Sequence, residues 1–436
     1  MNNNRIVKNA VWIIACKIVQ SIISFIIGTL TVRYLGPTNY GVITYAASIV
    51  SFFLPIMQLG LNHILVKEFI KNPNKEGEIL GTALIINIVS SLFSIAGATV
   101  FVLFANAGER ETIIVCALYS LVLLFQATEM TMYWFRSKLL SKYPSIATLV
   151  AYVVVAIYKV YLLVTGKSVV WFAISYVIDF FLISIILLII YKKLATQKLS
   201  FNWNIGKQML SSSKYYIIPS LMVVIYQHTD RIMLKLMVGD TETGLFSAAM
   251  ACTGMTGFVF HAIVDSARTV ILETKEHTPQ LFERKMVQLY SIITALALAQ
   301  SIFITIFAKP ILYLLYGEAY LVAVPILQLA VWYDTFGYYT SIRNVWILAE
   351  DKQKHLTKIN VVGALANVLL NACLIPILGG VGAAIASIIS QFFTNVIIGF
   401  IYAPIRRNNY LMLKGWNPKV IIGVASSVLT SRKRKK

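Results

Sequence analysis

Residues 169–191 read VVWFAISYVIDFFLISIILLIIY, twenty-three residues with Asp179 as the one charge. A helix of about 20 apolar residues crosses the roughly 30 Å hydrocarbon core of a bilayer. The same pattern recurs along the chain. Apolar runs separated by short polar loops predict twelve helices, over 10–32, 42–66, 79–104, 112–135, 144–164, 169–191, 215–237, 245–272, 286–308, 324–349, 359–377 and 383–404. The strands of a membrane β-barrel would be about ten residues long with alternating polarity, and these runs are neither.

The composition supports this reading. Of 436 residues, 58% are apolar and 13% charged, against about 45–50% and about 25% in soluble domains. A soluble enzyme, a nucleic-acid-binding protein and a disordered chain are excluded. Nucleic acid is therefore no expected partner of the net charge of +20; membrane lipid is. With the N-terminus placed inside, 28 of the 38 Lys and Arg fall in inside segments and four in outside loops, six lying within spans. That bias predicts both termini in the cytoplasm of a multi-pass protein and an attraction to anionic lipid. MNNNRIVKNA runs straight into the first span with no small-residue cleavage site, which reads as a retained helix rather than a signal peptide.

The loop 192–214 divides the spans into a lobe at 1–191 and a lobe at 215–404, followed by a basic tail at 405–436. Within the tail, 417–430 is too short to span and reads as interfacial or as a truncated helix. RYLGPTNYGVITYAA (33–47) and KLMVGDTETGLFSAA (235–249) share a cation, then glycines five apart (Gly36/Gly41 and Gly239/Gly244), then a small-residue run. Trp134 and Trp346 each precede a lysine by eight residues. Parallel repeats of this kind suit a two-lobed transporter around a central cavity.

Eleven ionisable residues fall inside the spans: Lys17, Glu129, Lys159, Asp179, Asp230, Arg231, Lys235, Asp265, Arg268, Asp334 and Arg343. Six cations facing lipid would cost on the order of 15–20 kcal/mol, so they face water, each other, or the span ends. Arg231 and Lys235 are one turn apart and repel unless an anion lies opposite; Pro219 is expected to loosen the same helix. Asp265 and Arg268 can pair locally. A hydrated cationic cavity holding a pyrophosphate is the functional reading, since the arginine fork binds phosphate oxygens bidentately; structural pairing is the alternative. The candidate anion-binding cations are Arg231, Lys235, Arg268, Arg343, Lys17 and Arg33. The candidate coupling or pairing acids are Asp230, Asp265, Asp334, Asp179 and Glu129. In WYDTFGYYTSIRNVW (332–346), Trp332, Tyr333, Tyr338 and Tyr339 are candidate sugar contacts.

Other chemistry is not indicated. The five histidines have no metal-ligand spacing, and the four cysteines, isolated in apolar runs, read as buried core residues. KPILYLLYGEAY (309–320) reads as a short re-entrant or interfacial helix. No Walker A sequence, G-x-S-x-G or H-E-x-x-H occurs, so neither an enzyme nor a bound cofactor is expected.

TVRYLGPTNYGVITYAASIVSFFLPIMQLGL in helices 1–2, TDRIMLKLMVGDTETGLFSAA (229–249), ILYLLYGEAY (311–320) and LIPILGGVGAAIAS (374–387) together resemble the polysaccharide-transport flippases. These are the O-antigen and capsule repeat-unit flippases of the multidrug/oligosaccharidyl-lipid/polysaccharide exporter superfamily. The resemblance covers residues 1 to about 404. It implies an all-α protein of twelve helices in two six-helix lobes. It also implies movement of an undecaprenyl-pyrophosphate-linked oligosaccharide to the outer leaflet of the bacterial plasma membrane by alternating access. Asp230 and Arg231 of the TDRIM motif and Arg33 before the LGP turn match the family pattern. A proton or sodium gradient, and a glycan polymerase and glycosyltransferases as partners, are further implications. The related drug exporters carry an acid in helix 1, where this chain has Lys17. Export of small cationic drugs is the alternative; a membrane glycan polymerase or acyltransferase is a weaker one.

Overall fold

The computed structural model describes residues 3–421 and 423. The chain forms two compact units, Met1–Gly244 and Leu245–Lys436. Among the described residues it is helical throughout, with no strand.

In the first unit a continuous apolar run, Trp12–Gln58, is 47 residues long, about 70 Å as one helix and more than twice the bilayer core. It is broken by one residue. Gly36, at φ 69 and ψ 173, occupies a region open in practice only to glycine. Pro37 then starts the next helix, where its missing N–H costs nothing. The result is α1 (3–35) and α2 (37–58), with a one-residue connection where the sequence suggested a loop of nine. α2 stops at Gln58, eight residues before the predicted end, because Leu59 (φ 50) and Gly60 (φ 72) are both left-handed. A short α3 (Leu65–Lys71) follows. The remaining helices are α4 (Glu76–Ala105), α5 (Arg110–Ser137), α6 (Lys142–Val164) and α7 (Val169–Leu194), then α8 (Trp203–Ser213) and α9 (Ile217–Met237).

The predicted loop 192–214 is thus partly helical, and its approach is docked. Gln197 accepts from the Gly77 N–H at 3.0 Å, and Asn202 Nδ2 donates to Glu78 Oε2 at 2.7 Å. A Cβ on Gly77 would stand 2.2 Å from the Lys198 carbonyl oxygen, so the linker needs a glycine face on α4. Asn202 caps α8 by accepting from the N–H of Asn204 at 3.0 Å.

α10 (Asp240–Gly254) starts at the end of the first unit. The second unit continues with α11 (Gly257–His277), bent 44° from α10. It also holds α12 (Pro279–Tyr316) and α13 (Val324–Ala349). α12 runs 38 residues straight through Pro310, so 309–316 extends a span and is not a separate re-entrant segment. The run Lys354–Ile401 is again too long, at 48 residues, and again breaks at one glycine, Gly379 (φ 56, ψ −133), giving α14 (354–378) and α15 (380–401).

Eight runs are long and apolar enough to cross a membrane, nine with the bent α10–α11 pair. Dividing two of them at Gly36 and Gly379 and adding the more polar α9 makes twelve spans. Phe93, Phe104, Val164, Leu314 and Ile377 are each more than 75% exposed along them, as expected of side chains facing lipid rather than water. The chain is a multi-pass membrane protein. Each unit keeps its own core, around Tyr45, Phe135 and Phe172 in the first and Tyr290 and Trp346 in the second.

The start of the basic tail also belongs to that second core. α16 (Arg406–Gly415) buries Asn408, whose Oδ1 accepts from the Tyr290 hydroxyl at 2.9 Å. The predicted interfacial segment 417–430 lies largely outside the described residues. Of the cysteines, Cys16, Cys116 and Cys252 are buried, but Cys373 is exposed, on the apolar surface of α14.

Candidate functional site

α9 concentrates polar chemistry in a short space. Pro219 stands in its first turn, where no i→i−4 bond is lost, so the helix is not loosened there. Arg231 and Lys235 are one turn apart, and the structure separates their roles. Lys235 is 5% exposed. Its ammonium donates to Glu109 Oε2 at 2.5 Å and to Asp240 Oδ2 at 2.6 Å. Glu109 in turn accepts from Asn106 Nδ2 at 3.4 Å, and Asn106 Oδ1 accepts from the Tyr45 hydroxyl at 2.7 Å. One network therefore joins α2, the α4–α5 connection, α9 and the start of α10. Burial raises the Glu109 pKa, but hydrogen bonds from Lys235 and Thr112 outweigh it and hold the carboxyl below its usual range. Two carboxylates around one buried cation satisfy a structural pairing.

Beside this network, α2 and α10 meet through their glycines. A Cβ on Gly41 would lie 1.9 Å from the Asp240 carbonyl oxygen, and one on Gly244 would lie 1.8 Å from that of Pro37. Thr38 and Thr241 share a hydroxyl–hydroxyl hydrogen bond of 2.9 Å. The contact is reciprocal, helix start against helix start.

Arg231 is half-buried and donates back to the Gln227 carbonyl at 3.2 Å. Asp230 is 5% exposed. Ile232, next to Arg231, packs against the same core cluster as Tyr40 of α2. A cavity of about 240 Å³ borders Tyr40, reaching Lys159 and Asp179 between α1, α6 and α7. Lys17 and Arg33 are exposed on α1. Glu129 is half-buried in α5.

In the second unit Arg343 is 2% exposed and donates to the Thr394 carbonyl at 3.0 Å, deep in the core. Arg268 and Asp265 are both exposed and pair at 3.5 Å. Asp334, Trp332 and Tyr333 are half-buried. Tyr338 is stacked on Phe260 with centroids 3.8 Å apart, and the Tyr339 hydroxyl meets Thr294 at 3.0 Å. At 6% and 3% exposure, Tyr338 and Tyr339 pack the core and present no ring to a sugar. Of the sequence-derived candidates, Arg231, Asp230, Lys235, Asp179 and Glu129 fall in the first unit with Lys17 and Arg33; the others belong to the second.

Glu109, Asn106 and Tyr40 were not among those candidates. Glu109 is 126 residues from Lys235, so no helical spacing announces the pair.

The family described as "Polysaccharide biosynthesis protein" matches residues 6–268, well over half of the chain. The chain belongs to that family. A structure of the lipid II flippase MurJ in an inward closed conformation is similar at a TM-score of 0.72. It is 14% identical, with 96% of this chain and 93% of that one covered. An inward-facing multidrug resistance MATE family transporter of the MOP superfamily gives 0.69 at 14% identity, covering 90% and 95%. The eukaryotic MATE transporter AtDTX14 gives 0.60 at 13%, covering 95% and 99%. At these identities the likeness establishes the fold alone. A search of the curated proteins returns no match. Both the TDRIM stretch and the LGP turn lie within the family-matched residues.

Proposed function

We propose that this protein is a flippase that moves a polyprenyl-pyrophosphate-linked oligosaccharide repeat unit from the inner to the outer leaflet of a bacterial plasma membrane. The observation that carries the reading is the family match over 6–268, which encloses α9, the span that carries Asp230, Arg231 and Lys235. A lipid-linked anion needs what α9 offers, a guanidinium held at membrane depth. Arg231 holds the pyrophosphate, and its bond to Gln227 exchanges for phosphate oxygens when substrate arrives. Asp230 and the exposed Lys17 and Arg33 set the surrounding charge. Lys235, held by Glu109 and Asp240, serves the architecture instead.

The glycan goes to capsule, O-antigen or exopolysaccharide assembly, and a glycan polymerase and glycosyltransferases are its partners there. Both termini are cytoplasmic, and alternating access of the lobes at 1–191 and 215–404 carries the headgroup across, driven by a proton or sodium gradient. Since a ligand shifts an equilibrium only by its differential affinity, the outward state must bind the headgroup less tightly.

The test uses proteoliposomes loaded with a labelled polyprenyl-pyrophosphate oligosaccharide and an impermeant glycan-modifying enzyme outside. Protein-dependent access that is lost in Arg231→Ala, with the variant still monodisperse, supports the reading. Undiminished access in Arg231→Ala removes that residue's role. Export of cationic dyes with no glycan access favours the drug-exporter alternative.

A further inference from the structure

The cavity between α1, α2, α6 and α7 is lined by three tyrosines, Tyr40, Tyr152 and Tyr176, with Thr31, Lys159 and Asp179. Its charges do not cancel directly. The Lys159 ammonium lies over the Tyr176 ring, 4.1 Å from its centroid, and Asp179 Oδ1 is buried without a hydrogen-bond partner. A carboxylate and an ammonium inside one membrane-embedded pocket attract strongly, and an unpaired buried acceptor is costly. Side chains held apart in this way fit a ligand that bridges them.

The lining selects the ligand's chemistry. A metal cation would meet the ammonium and an inorganic anion would meet the carboxylate, so each is opposed by one wall. A neutral polyol satisfies both walls, donating hydroxyls to Asp179 and accepting from Lys159. The tyrosine hydroxyls can donate or accept to the remainder, and their rings offer apolar faces. About 240 Å³ corresponds to the liquid volume of roughly eight waters, room for one sugar ring.

We infer that this pocket is a monosaccharide subsite, taking the sugar nearest the lipid phosphate. The inference rests on the flippase reading for its substrate class. Its position agrees: Tyr40 lies on the cavity wall and packs against the same core cluster as Ile232, the neighbour of Arg231 on α9, as a sugar joined directly to a phosphate requires. The aromatic and polar surface sought at 332–339 thus has a counterpart in the first unit, assembled from four helices.

The test is saturation-transfer NMR on the whole protein in nanodiscs, with a panel of methyl glycosides comprising a hexose, an N-acetylhexosamine, a 6-deoxyhexose and a hexuronate. Transfer to at least one member is expected, weakened about tenfold in Asp179→Asn by loss of a charge-assisted bond. Tyr152→Phe removes one hydroxyl without changing the ring and should weaken it too. No transfer to any glycoside, or transfer unchanged in both variants, overturns the subsite. Sodium-23 line broadening abolished by Asp179→Asn, without sugar transfer, overturns it in favour of an ion site. Free glycosides need no flipping, so sugar binding in a protein that fails the liposome assay would retain the pocket while removing the transport reading. Flipping without sugar binding would do the reverse.

Discussion

Gly41 and Gly244 close one contact from opposite sides, each lying where a methyl group would penetrate the partner helix's backbone, at Asp240 and Pro37 respectively. The two glycines are 203 positions apart and follow the same five-residue spacing from Gly36 and Gly239. Each helix start supplies the same kind of surface to the other, the signature of a local two-fold relation. With the termini cytoplasmic as proposed, this contact lies at the outer face.

Gly244→Ala should force α2 and α10 apart, because the obstructing atom is a backbone carbonyl oxygen 1.8 Å away and cannot rotate aside. A loss of about 1–3 kcal/mol is expected for such overpacking, read as a lower melting temperature in detergent. Gly254→Ala, with nothing within 4 Å of the added methyl, should be neutral or slightly stabilising.

A transporter that opens at this face must separate Thr38 from Thr241, whose hydroxyl oxygens are 2.9 Å apart. The double variant Thr38→Cys/Thr241→Cys should cross-link under mild oxidation and stop glycan access in liposomes, with recovery on reduction. Full transport in the cross-linked protein would mean that the contact stays closed throughout the cycle.

Lys235→Met should be more damaging than its neutral shape suggests. It leaves Glu109 and Asp240 facing one another without their shared cation. Breaking a buried pair costs about 3–5 kcal/mol. Glu109 retains 44% of its side-chain exposure, which lowers the expectation to about 2 kcal/mol. The companion Lys235→Met/Glu109→Gln should recover part of it, measured by thermal unfolding.

The same network predicts an acid limit. Glu109 has a folded-state pKa below 4.5, so it binds protons more readily when unfolded. Its stabilisation is complete above pH 4.5 and is lost as the pH falls through the depressed folded value. The difference in melting temperature between the wild type and Glu109→Gln should therefore be flat near neutrality and shrink below about pH 4.5. A constant difference down to pH 3 would contradict the pairing.

Asn202→Ala removes the N-cap of α8 and the bond to Glu78 together. A loss of about 1–2 kcal/mol is expected. It should appear as faster proteolysis in the 195–202 linker, which would then be held by Gln197, Ser200 and the Asn202 N–H.

Membrane insertion, the twelve spans and the charge asymmetry were legible from residues such as those at 169–191. Each depends on transfer free energy, which is a property of composition over a short window. The turns at Gly36 and Gly379 were legible as breaks but not as single residues, because the sharpness of a turn depends on φ and ψ. Arg231 and Lys235 look equivalent in sequence, four residues apart on one helix. Their separation into a half-buried guanidinium and a fully paired ammonium was decided by Glu109 and Asp240, which only folding brings to Lys235. Tyr338 and Tyr339 read in the sequence as a sugar-binding surface; Phe260 and Thr294, from other helices, cover them in the fold. The pocket of Tyr40, Lys159 and Asp179 draws on α2, α6 and α7, and no local periodicity encodes which residues of separate helices share a wall. Hydropathy acts through solvent and can be read one segment at a time; pairing and cavity chemistry act between segments and exist only once the helices pack.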